Sequence, residues 1–233
     1  MQPLSRVRKD AHVYFGQDDT MTARPKAATK VAEYIAEWSN IETLLGIFLG
    51  FLLHSKAPTI LKMFRALDNR AAQLRLLESA AKSELKPPQF DIFVVLMEQF
   101  IRPVMRTRDK FAHWCWGHAP ELPDALLLMS PDEALYVHFV FLKGSDSVSD
   151  DKVFVVTESY LDRSLKELRK AQSYLAMLIQ SLDVFAVATP RVQQPLARLS
   201  SVPAIREGLA RLREKEAKLQ AKQKQSPPKD DQD

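Results

Sequence analysis

The sequence predicts a mainly α-helical fold with a small β-meander set before the last long helix. Over most of the 233 residues, apolar side chains recur at spacings of three and four, the period of a helix with one buried face. Glycine is scarce, at 6 residues, which leaves little of the turn chemistry an all-β chain needs. Only between Asp124 and Thr157 does the pattern change to β-branched and aromatic runs divided by polar turns. With 46% hydrophobic residues the chain can bury a full core, and its length suits one domain with extensions.

Residues 1–26 show no sustained period and mixed charge, so they read as a partly ordered N-terminal arm. A first helix is expected over 27–54, where Val31, Tyr34, Ile35, Trp38, Ile41, Leu45, Leu49 and Leu52 form one stripe. Its run "LLGIFLGFLL" is far shorter than the roughly 18 apolar residues of a spanning helix, and reads as core. Glu42 interrupts the stripe and calls for a cation elsewhere in the chain. Gly46 and Gly50 would admit a second backbone, either within the subunit or across a dimer contact.

A second helix is expected over 59–84, ended by "KPPQF", because two prolines cannot continue a helix interior. A third should run over 89–116, kinked at Pro103, with Gly117 as its left-handed cap. "DALLLM", "ALYVHFVFL" and "KVFVVT" then read as three antiparallel strands, with "SPDE" as a turn and 143–151 as a polar loop. A fourth long helix starts near Glu158, carries Leu161, Leu165, Leu168, Leu175, Leu178, Leu182 and Phe185 inward, and stops before Pro190. The predicted organisation is thus the arm 1–26, a helical domain 27–187 with a β insertion at 124–157, and a tail 188–233 that is charged, helix-prone and finally disordered.

The formal charge of +4 is a matter of the ends: residues 1–30 carry six basic against three acidic residues, 201–233 carry eight against six, and the remainder is net −1. A phosphate-binding surface on the body must therefore come from local clustering. The single cysteine, Cys115, excludes an intramolecular disulfide and, between two tryptophans, reads as a buried apolar thiol. The basic N-terminus has no apolar run behind it, so the expected location is cytoplasmic. His54, His118 and His138 make no zinc spacing with Cys115, and no Gly-rich phosphate loop, nucleophile elbow or H-E-x-x-H is present. Asp146, Asp150 and Asp151 read as a solvated loop.

The densest chemistry lies in "RTRDKFAHWCWG", 106–117. On a helical wheel Arg102, Arg106, Asp109 and His113 share one polar stripe, whereas Arg108 falls at the edge of the apolar side, about 120° from His113 at 100° per residue. Two readings follow from spacing alone. In one, Arg108 pairs with Glu42 in the core and His113 sits in the last turn for the helix dipole; in the other, Arg108, Asp109 and His113 are a functional site.

The stretch "RDKFAH" resembles the signature of the HEPN (higher eukaryotes and prokaryotes nucleotide-binding) family, which is Arg, a polar residue, three further residues and His on a late helix of a bundle. The resemblance implies an antiparallel four-helix up-and-down bundle that pairs as a homodimer, both motifs lining one cleft. It implies a metal-independent endoribonuclease, often a toxin of a toxin–antitoxin or antiviral system, with an antitoxin or other protein partner and no cofactor. In that setting His113 would act as general acid or base, Arg108 would stabilise charge on the phosphate, Asp109 would orient the imidazole, and Arg102, Arg106 and Lys110 would hold RNA. Other members are non-catalytic and bind nucleotides or proteins, which gives the alternative function. Membrane contact through the basic ends is the weakest reading.

Overall fold

The computed structural model describes residues 1–16, 19–55, 57–67, 69–142, 150–182 and 190–225. It is mainly helical and also carries a five-stranded antiparallel sheet. In chain order the elements are β1 (Gln2–Pro3), α1 (Leu4–Val7), β2 (Tyr14–Phe15), α2 (Pro25–Leu52), α3 (Ala57–Arg65), α4 (Arg70–Glu84), α5 (Gln89–Leu96), a π-helical turn (Met97–Ile101), α6 (Arg102–His113), β3 (Cys115–His118), β4 (Ala125–Met129), α7 (Pro131–Leu142), β5 (Val153–Thr157), α8 (Glu158–Gln180), α9 (Pro190–Ser201) and α10 (Pro203–Gln225). They form two compact units: residues Met1–Ile41 with Arg102–Ala171, and residues Glu42–Ile101 with Gln172 onward.

The sheet belongs to the first unit, in the order β1-β5-β4-β3-β2. All five residues of β4 are buried, because both faces of this central strand are covered, and that explains a run of leucines where a one-sided strand would alternate. On one face Ala125, Leu127 and Met129 pack with Val153, Val155 and Leu4. On the other, Leu128 lies opposite Phe154 and Trp116, and the Trp116 ring meets Phe111 of α6 at 5.7 Å. Residues 2–15 supply both edge strands. In the same unit α8 runs parallel to α2: Lys30 Nζ lies 2.7 Å from Asp162, and two turns on Arg169 binds Glu37 at 2.7 Å and also Glu33.

α2 forms close to its expected span, with Val31, Tyr34, Trp38, Ile41, Leu45, Leu49 and Leu52 buried. It is the one helix among the described residues long and apolar enough to cross a membrane by length and composition, and this buried stripe is what a core helix shows. In the second unit Gly46 faces Leu61 so closely that an added Cβ would lie 2.5 Å from Leu61 Cδ1, so this glycine serves packing within the chain. Gln89 Nε2 donates to Ser181 O at 3.1 Å and Phe100 stacks edge-on with Tyr174 at 5.1 Å, which sets α5 and its π turn antiparallel to α8.

Three expected elements differ. The helix expected over 59–84 is two helices, because Asn69 Oδ1 accepts from Ala71 N at 2.8 Å and starts α4 afresh. α3 returns along α2, and α4 then runs parallel to α2, with Arg70 at Glu42 and Glu84 at His54. "ALYVHFVFL" lies in helix α7 and not in a strand: Ser130 Oγ accepts from Glu133 N at 3.3 Å, and Pro131, Asp132 and Glu133 fill the first turn. The sheet therefore replaces the predicted meander, drawing β3 from what was expected to be helix. The third helix ends at His113, and Gly117 lies in β3, where an added Cβ would meet Tyr14 O at 2.4 Å. Pro103 has no N–H to give residue 99, and the chain answers with the π turn immediately before α6. The loop segment 143–149 and the tail 226–233 lie outside the described residues.

Candidate functional site

α6 is fixed to its unit from the inner side. Val104 and Phe111 are buried, Tyr34 Oη donates to Val104 O at 2.9 Å, and the Tyr34 ring meets Phe111 edge-on at 5.1 Å. Burial pushes the Tyr34 hydroxyl well above its ordinary pKa, so this donor stays protonated. At the helix end Trp114 N bonds Lys110 O at 2.9 Å, and Trp116 Nε1 donates to Phe111 O at 3.1 Å as the chain turns into β3. The polar side chains of the last two turns are thereby held on a rigid base.

Arg108, Asp109 and His113 come together there. Arg108 NH1 lies 3.3 Å from Asp109 Oδ1 and 3.2 Å from His113 Nε2. Arg108 is mostly covered, Asp109 is partly open, and His113 is exposed. A guanidinium has donors and no acceptor, so Nε2 must supply the lone pair, and the bond exists only with a neutral imidazole protonated at Nδ1. Arg108 Nε is buried without a hydrogen-bond partner. The wheel argument had placed Arg108 and His113 about 120° apart; four rotatable bonds let the guanidinium swing along the helix, and the two meet within one chain.

The expected pair of Glu42 and Arg108 is replaced by two separate contacts. Glu42 Oε1 takes a hydrogen bond from Arg70 NH2 at 2.7 Å, and both side chains are partly exposed. Glu42 does find a cation, but on α4, because the fresh start of that helix brings Arg70 alongside.

The expected RNA-holding residues divide. Arg106 is exposed and Arg102 is half-buried at the start of α6. Lys110 Nζ lies 4.7 Å from the Trp114 ring centroid and 5.7 Å from that of Phe154 on β5, and the two rings are 5.9 Å apart. Sequence reasoning named Lys110 and missed the aromatic pair. The i, i+4 spacing to Trp114 was visible, whereas Phe154 arrives only through the sheet.

Other titratable groups have local work. His118 Nδ1 meets Thr20 Oγ1 at 3.1 Å and its ring stacks on Tyr14. His12 Nδ1 lies 2.7 Å from Glu121, and this hydrogen bond holds the Glu121 carboxyl down to about 2. Cys115 is half-buried in β3 rather than fully enclosed. Among the described residues no group of three His, Cys, Asp or Glu could hold a metal ion.

Comparisons with known families, with curated proteins and with solved structures each find no match. The resemblance to the HEPN signature therefore rests on the sequence of residues 108–113.

Proposed function

We propose that the chain is a HEPN-like, metal-independent endoribonuclease whose reacting groups are Arg108, Asp109 and His113, and that it works as a toxin of a toxin–antitoxin or antiviral system in the cytoplasm. The observation that carries this reading is the three-membered contact at the exposed end of α6, with His113 open to solvent and Arg108 bonded to its Nε2 at 3.2 Å. A phosphate entering beside Arg108 offers the guanidinium a stronger, charged acceptor than a neutral imidazole. As Arg108 turns to that phosphate, the Nε2 lone pair is freed. His113 then takes the proton of the ribose 2′-OH, the 2′-oxygen bonds to phosphorus, and the bond to the 5′-oxygen breaks as that oxygen takes a proton from water, the hydroxide so formed being neutralised by the proton that His113 gives back. The products are a 2′,3′-cyclic phosphate and a 5′-hydroxyl. Arg108 stabilises the charge on phosphorus, and Asp109 acts on the imidazole through its hold on Arg108.

In this reading α2, α4, α5 with α6, and α8 are the four core helices of a HEPN-like bundle. α2, α4 and α8 run in one direction and α5 with α6 in the other, a departure from simple alternation that arises because α3 makes the return between α2 and α4. Arg102, Arg106 and Lys110 hold the RNA, and the working form is a homodimer.

The test is cleavage of a mixed-sequence RNA pool by the purified chain. The expected result is cleavage that survives EDTA and leaves cyclic phosphates, and that His113→Ala slows about a hundredfold or more with helical content unchanged. Wild-type protein that leaves the pool intact, while His113→Ala only lowers the melting temperature, would hand the site to the alternative of a non-catalytic binding module.

A further inference from the structure

Several cations of the first unit are already answered. Lys30 meets Asp162 and Glu158, Arg169 meets Glu33 and Glu37, and Arg108 meets Asp109. Lys110 is different. It is half-buried, yet among the described residues no carboxylate lies within ion-pair distance, and its ammonium sits instead over the faces of Trp114 and Phe154. Two aromatic faces attract a cation without neutralising it, so the charge is held in place and remains available to an anion. Lys110 and His113 are three residues apart on α6, and so are neighbours on the helix surface.

We infer that Lys110, seated over Trp114 and Phe154, forms a binding subsite for single-stranded RNA next to His113. Its ammonium takes the phosphate adjacent to the reacting one, and the half-exposed Trp114 ring offers aromatic surface to the base. Non-specific single-strand binding has this chemistry, cations along the backbone with aromatic surface for any base, and it requires no hydrogen-bonded reading of sequence. The subsite rests on the reading of His113 as the reacting group for its place along the RNA, but its existence can be tested apart from cleavage.

The experiment uses the full chain carrying His113→Ala, so that the probe stays intact, and follows the anisotropy of a fluorescein-labelled twelve-nucleotide oligouridylate across a salt series. Lys110→Gln is expected to weaken binding about tenfold and to lower the salt slope by about one, the effect of losing one phosphate contact. Trp114→Leu should weaken it by about tenfold while Trp114→Phe restores most of it, because stacking needs only an aromatic face. Lys215→Gln on α10 is the control and should change nothing. A folded Lys110→Gln protein that binds with wild-type affinity and slope would overturn the subsite. Binding that depends on Lys110 in a chain whose wild type never cleaves upholds the subsite and removes the nuclease reading. Cleavage that depends on His113 but is indifferent to Lys110 and Trp114 does the reverse, and no binding of the oligonucleotide at all overturns the subsite.

Discussion

Arg108 can only donate, and that single property orders the chemistry at the end of α6. Its guanidinium lies within hydrogen-bond reach of the Asp109 carboxylate and the His113 imidazole, and so ties together the side chains that the proposed reaction uses. The same reasoning at Glu42 gives a modest number. Glu42 and Arg70 are partly open to water, so their attraction is screened, and Glu42→Ala should cost about 1 kcal/mol or less in a chemical melt. A buried pair broken at one end would cost about 3 kcal/mol or more, so a loss of that size would show Arg70 to be far less solvated than its geometry indicates.

At the scale of elements, the sheet depends on a glycine. A Cβ at residue 117 would lie 2.4 Å from Tyr14 O and 2.7 Å from the Phe15 ring, and the first of these is backbone that cannot turn aside. Gly117→Ala should therefore loosen β2 from β3 and destabilise the chain by about 2 kcal/mol, the usual range for forced overpacking. Amide exchange should show Tyr14 and Phe15 losing protection while β4 and β5 keep theirs; full protection of β2 would sink the argument. Gly46→Ala meets only the flexible end of Leu61 and should be milder. This element also shows why some of the fold was legible and some was not. The stripes of α2 and α8 follow from local periodicity, and the strands β4 and β5 from short apolar runs bounded by polar turns. "SPDE" was legible too, but as a helix start: Ser130 and Glu133 have the spacing of a capping box, with proline at the first helical position. The apolar run after it outweighed that signal. Asn69 was a cap of the same kind. By contrast, nothing near residues 2–15 or 115–118 announces strands, because their partners lie far along the sequence and pairing alone makes them β. The site was legible as a set of residues, since Arg108, Asp109 and His113 share two turns. The reach of a long side chain defeated the wheel, which places Cβ atoms and not guanidinium groups.

At the scale of the whole molecule, the question is whether one chain suffices. On the helical wheel Arg108 and His113 lie about 120° apart, and from that angle alone a shared cleft would need a second copy of the chain. With Arg108 NH1 at 3.2 Å from His113 Nε2, each chain already holds the pair, and that argument lapses. What remains is the resemblance, in which two motifs line one cleft and the second Arg meets phosphate charge that the first cannot reach. The two accounts differ in concentration dependence. If the shared cleft is the working site, light scattering should give a dimer at micromolar concentration, and activity per chain should fall as dilution splits it. Mixing His113→Ala with Arg108→Ala chains should then restore part of the activity, because each hybrid cleft keeps one intact member of each kind. A monomer that cleaves RNA at a rate per chain independent of concentration, with no rescue on mixing, would place the whole reaction within a single α6 and retire the dimer.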